Sequence, residues 1–174
     1  MRNYMMGIAL AGMIYSATAC TNNAKTVDDR NETETTALVD NGNPKFADAK
    51  INAVYQHYTH LKTALINDDA KEAEMGTQML EKAIKDAGMD IKNMEPMAKA
   101  ADVKAKRAQL SSLSVELASV FKKAKIESGV VYKQFCPMAN DGNGGYWLAS
   151  ESPIKNPYYG KNMLSCGSVE EEIK

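Results

Sequence analysis

The sequence predicts a mainly α fold, an up-and-down bundle of three main helices, the last one broken near residues 101–102. A C-terminal loop-rich cap with a small β-hairpin closes it. Three observations carry this expectation. Apolar residues recur at three- and four-residue spacing through three successive runs. Short connections join the runs, which favours antiparallel neighbours. After Gly129 the helical period gives way to β-branched and aromatic stretches interrupted by glycine and proline. A chain of 174 residues is long enough for one domain with a real core.

In the first helix, Ile51, Val54, Tyr55, Tyr58, Leu61 and Leu65 share one face, which predicts a span from about Pro44 to Asn67. Asn67-Asp68-Asp69 then supplies a turn and an N-cap for the second. That helix carries Ala73, Gly76, Met79, Leu80, Ala83, Ile84 and Ala87 on one stripe and stops at Gly88. In the third, Val103, Leu110, Leu113, Leu117, Phe121 and Ala124 line up, but Lys106 falls within the stripe. A break at Ala101-Asp102, with a short helix around Met97 before it, accounts for that interruption. In the cap, VVYKQF and YWLA flank the turn NDGNGG and predict the hairpin. SPIKNPYYG forbids a long regular element beyond it.

The N-terminal residues predict export. Arg2 precedes an apolar or small run from Met5 to Ala19, too short to span a bilayer but fitting a signal peptide over residues 1–19. Ala17-Thr18-Ala19 followed by Cys20 resembles a bacterial lipobox, which makes Cys20 the acylated N-terminus of the mature chain. Residues 20–44 are polar, with almost no large apolar side chains, and predict a flexible tether. The folded domain is expected over 45–174, with its cap at about 130–170. The expected location is the cell envelope, with a lipid anchor holding the domain at a membrane on the periplasmic or exterior side. The 21 basic residues nearly balance the 22 acidic ones, which excludes the basic footprint of a nucleic-acid binder.

Cys136 and Cys166 are the only internal thiols, and each has a methionine nearby, Met138 and Met163. Cu(I) and Ag(I) are soft ions that select thiolate and thioether donors, so these four residues form a candidate metal site. In an extended segment Cys136 and Met138 point to the same side, and Pro137 stiffens the pair. Met163 and Cys166 match one tight turn. The alternative is a Cys136–Cys166 disulfide, the usual fate of two internal cysteines outside the cytoplasm. Closing that loop would contribute roughly 3 to 4 kcal/mol in the chain-entropy model. In that case Trp147, Tyr158 and Tyr159 are core or interface aromatics. Composition alone places the disulfide first.

Other constellations are weaker. His57 and His60 lie three apart on the first helix and are candidate accessory ligands, but they sit beside or off the apolar stripe. Met94 and Met97 form an MxxM pair that more often fills a core. Asp141, Asn143 and Gly145 start a calcium-like spacing that fails at Tyr146 and Ser152. There is no phosphate-binding glycine loop. A thiol nucleophile with a histidine base, Cys136 or Cys166 with His57 or His60, finds no support in spacing, so no enzyme is expected.

The C-terminal motifs carry a resemblance. Cys136 to Ala139, Gly145 with Trp147-Leu148, Ile154 to Tyr158, and Met163 to Gly167 resemble the signature of the uncharacterised bacterial domain of unknown function 3347. Arg107 with Leu113-Ser114 on the third helix, and Tyr58, Lys62 and Ala64-Leu65 on the first, are similar to its upstream pattern. On these residues the resemblance covers about 45–170. It implies a place among exported proteins and modules attached to adaptor subunits of copper/silver efflux pumps. Metal-efflux components are thus implied partners, and Cu(I) or Ag(I) the implied cofactor. No ligand assignment comes with the family, and no adaptor hairpin or barrel region is present. The resemblance brings the metal reading level with the disulfide.

Overall fold

The computed structural model describes residues 42–174. The expected signal peptide, Cys20 and nearly all of the tether lie outside the described residues. The elements run β1 (Lys45–Phe46), α1 (Ala49–Ile66), α2 (Ala70–Asp86), α3 (Met94–Lys99), α4 (Val103–Phe121), β2 (Ile126–Ser128), β3 (Val131–Cys136), β4 (Gly145–Ala149) and β5 (Ser168–Ile173). The helices occupy the first part and small antiparallel sheets the last. One sheet pairs β1 with β2, and the other has the order β4-β3-β5.

Helix boundaries follow from local chemistry. Asp48, Asp69 and Asp102 each accept backbone N–H groups at the start of α1, α2 and α4, satisfying donors that the first turn leaves orphaned. The Asp48 cap starts α1 later than the expected Pro44, and residues 45–46 pair instead with β2. Gly88, at φ 68°, ends α2 in a Schellman turn, in which its N–H donates to Lys85 O and that of Met89 to Ile84 O. The break before α4 is present, but it does not take Lys106 off the buried face. Lys106 stays within the stripe, and its ammonium reaches Glu74 Oε2 at 3.0 Å. Its long apolar stem crosses the core edge while the charge finds a partner on α2.

Gly76 lets α1 and α2 approach closely, since a Cβ there would stand 3.0 Å from the Leu61 backbone. The opposite side of α1 meets the cap through a polar seam. Tyr55 hydroxyl bonds Ser150 Oγ at 3.0 Å, and burial pushes its phenol up to about 12. Lys62, 2% exposed, donates to Glu151 Oε1 at 3.1 Å. Burial lowers its ammonium, and Glu151 opposes that shift. Between them, wholly buried Tyr58 accepts from Leu148 N–H at 2.9 Å. Ser114 spends its single proton on Leu110 O at 2.6 Å, so Tyr58 must donate to Ser114 Oγ at 2.7 Å. Nearby, Ser111 Oγ accepts from Tyr146 N–H at 3.1 Å. The outer edge of β4 is therefore satisfied by helix hydroxyls rather than by another strand.

Tyr58→Phe is expected to destabilise the fold by about 1–3 kcal/mol, because it strands the buried Leu148 N–H. A urea midpoint unchanged from the parent would contradict this account of the seam.

The hairpin β3-β4 forms with Cys136 opposite Gly145. The sheet is larger than a hairpin, because SVEEEI adds as β5 with Phe135 opposite Ser168. Three consecutive glutamates hide that strand from any apolar-periodicity test, and only Ile173 of β5 is buried.

Candidate functional site

The two halves of the cap meet at the thiols. Cys136 is the last residue of the central strand β3 and is wholly buried. Cys166 lies in the loop before β5 and is half-buried. Their Sγ atoms are 2.9 Å apart. The hydrogen bond with Cys136 raises the Cys166 thiol above its ordinary value, with burial adding to it.

Close packing brings Cys166 there. Gly167 adopts φ 137°, and a Cβ on it would meet Phe135 O at 2.6 Å and Trp147 Cη2 at 2.8 Å. Wholly buried Asn156 fastens the loop from the other side. Its N–H donates to Leu164 O at 2.8 Å, its Nδ2 to Cys166 O at 2.8 Å, and its Oδ1 accepts from Tyr158 N at 2.7 Å. Tyr158 covers Gly145, where a Cβ would strike its ring, and donates to Tyr146 O at 2.6 Å. Its ring stands edge-on to Trp147 at 6.1 Å. Arg107 ties the loop to the helices, with Nε on Pro157 O at 2.7 Å and Nη2 on Leu65 O and Asp68 Oδ1, each at 2.5 Å.

Met138 is placed differently from the expectation. The chain leaves its strand at Pro137, so the extended Cys136-x-Met138 arrangement does not form. Met138 has helical backbone angles (φ −85°, ψ −12°) and is 52% exposed. Asn140 and Asp141 follow it in the left-handed region, a strained conformation for non-glycine residues. Tyr159 hydroxyl donates to Met138 O and holds this turn beside the loop. Burial, then the neighbouring Cys136, Cys166 and Asp141, raise the Tyr159 phenol. Met163 is half-buried, just after the 3-10 turn Gly160–Asn162.

His57 and His60 are on the other side of α1. His60 Nε2 bonds Glu72 Oε2 on α2 at 2.8 Å, and His57 lines a cleft with α2 residues. The structure does not bring them to the thiols. Met94 and Met97 are core residues, 4% and 0% exposed. Among the described residues no group of three or more His, Cys, Asp or Glu is placed to hold a metal ion. The roles of Asn156, Tyr159 and Gly167 were not predicted from sequence, although all three sit within or beside the NPYYG and CG motifs.

Residues 54–129 match the family model described as protein of unknown function (DUF3347). The chain is thus similar to that family over its helices, and the match is shorter than the expected 45–170. It ends just before β3, so the thiol-bearing cap lies beyond it. No curated protein and no solved structure matches the chain.

Proposed function

We propose that this chain is an exported lipoprotein, anchored in the cell envelope through Cys20, that binds Cu(I) or Ag(I) for sequestration or delivery. It acts as a binding protein rather than an enzyme, with metal-efflux components as partners. Its helices serve as an up-and-down platform for the cap. Cys136 and Cys166 are the thiolate ligands, with Met138 and Met163 as weaker thioether donors. The observation that carries this reading is the meeting of two cysteines from separate halves of the cap.

Two thiolates bound at about 2.3 Å to one tetrahedral ion stand roughly 3.8 Å apart. Metal entry therefore requires the sulfurs to separate from 2.9 Å. Cys136 is wholly buried and paired with Gly145 of β4 at the end of β3, so Cys166, on its loop, is the one that moves. Binding also releases the thiol protons. Because the Cys166 thiol is raised, Cu(I) affinity is expected to climb with pH through neutrality and level off only above the ordinary thiol value of about 8.5.

A Cu(I) competition titration of the reduced protein tests this. Replacing both Cys136 and Cys166 with Ser is expected to weaken binding at least about a thousandfold, or about 4 kcal/mol. Unchanged affinity would sink the reading.

The second reading is a structural or protein-binding envelope lipoprotein whose cap is closed by a Cys136–Cys166 disulfide. The specific observation in its favour is the separation of 2.9 Å, shorter than two ligands of one ion keep. Thiol alkylation with mass spectrometry on protein from its native envelope separates the two. Free thiols count against the disulfide, and full protection from alkylation supports it.

A further inference from the structure

We infer that the cleft between α1 and α2 is a second soft-metal site, with His57 and Met79 as its donors to a monovalent ion of the Cu(I) or Ag(I) class. The cleft holds about 390 Å³. It exists because Ala49 and Ala53 on α1 and Ala83 on α2 leave room that larger side chains would fill. Into that recess the two helices contribute one imidazole and one thioether. Imidazole suits copper generally, and a thioether donor selects its monovalent form.

Three further features fit an ion of that kind. Met79 is 40% exposed although it belongs to the apolar stripe of α2, so its sulfur remains reachable. His60 itself is engaged with Glu72 and is not available as the partner of His57. The one carboxylate lining the cleft, Asp86, is paired with Lys82 at 2.5 Å. With Lys50 and Lys82 also lining it, a single carboxylate already beside an ammonium is a poor set for Mg²⁺ or Ca²⁺, which take six or more oxygen donors.

This site does not depend on the thiol reading. Neither donor can be lost to disulfide formation, so it stays competent when Cys136 and Cys166 are joined. Ag(I) alone is the probe, titrated into the full chain carrying Cys136→Ser and Cys166→Ser. Histidine ring and methionine methyl resonances are followed by NMR. The His57 ring and the Met79 methyl are expected to shift together and to saturate at a single equivalent. Outer partners of metal ligands are alone worth about 10–100-fold in affinity, so His57→Ala or Met79→Leu should weaken binding at least about tenfold. His60→Ala and Met75→Leu, on neighbouring turns, should change it by no more than about twofold.

If the serine variant does not fold, the wild-type chain with its thiols oxidised carries the same titration. Ag(I) that leaves both resonances in place, or binding that survives His57→Ala undiminished, overturns the inference. Neither result touches the Cu(I) competition at the cap, so the two sites stand or fall separately.

Discussion

Gly167→Ala is expected to destabilise the protein by about 2–6 kcal/mol and to separate the thiols. Two costs combine. At φ 137° an alanine sits in backbone territory that costs of order 1–3 kcal/mol. The new methyl would also press on Phe135 O at 2.6 Å and Trp147 Cη2 at 2.8 Å, and overpacking of this kind costs about 1–3 kcal/mol. Neither neighbour can retreat, because Phe135 is paired on both sides in β3 and Trp147 is wholly buried. The loop must yield, and it carries Cys166. Urea unfolding with alkylation of the native state reads both effects, as a lower midpoint and faster labelling of Cys166. Gly88→Ala is the control. It is also left-handed, but open space surrounds it, so its loss should stay near about 1 kcal/mol. Equal losses at the two positions would mean that backbone conformation, not packing, is what Gly167 supplies.

The second large effect is at Asn156. Asn156→Ala removes the acceptor for Tyr158 N–H and the donor to Cys166 O in a fully buried position. Each buried group left unpaired costs about 1–3 kcal/mol, so a total of about 2–6 kcal/mol is expected. For a domain of this size that is a fall in Tm on the order of 10 °C. Asn156→Asp should not rescue it, because a carboxylate keeps the acceptor but turns an oxygen toward Cys166 O and buries a charge. Differential scanning calorimetry of the three proteins distinguishes this from a packing effect. Recovery of the parent Tm in the Asp variant would refute the donor role of Nδ2.

What the sequence made legible follows from how local each cause is. The cap at Asp69 and the glycine stop at Gly88 act within one turn, and they were readable directly, as was the break at Ala101-Asp102, though not the cap that Asp102 supplies there. So was the hairpin, because its strands alternate around a glycine-rich turn. Lys106 was misread because its partner, Glu74, lies on another helix. The strand β5 escaped because its face toward solvent is acidic and its pairing is with a strand more than thirty residues away. At the thiols, the two CPM and MLSC segments pointed to each other, but the turn at Pro137 that sends Met138 outward did not announce itself. The His57 cleft needs alanines from two helices at once, so no single run of residues displays it.

The hydroxyls that close the edge of β4 have a consequence for where this module begins and ends. Tyr58, Ser111 and Ser114 belong to the helices, yet Tyr58 and Ser111 accept the amides of Leu148 and Tyr146 in the cap. A fragment cut at Gly129, where the family match stops, would leave those hydroxyls facing nothing and expose the core side of α4. The span matched by the family model and the folding unit are therefore different objects. Helices and cap should melt in one transition, and the Leu148 amide should exchange its hydrogen only when the whole domain opens.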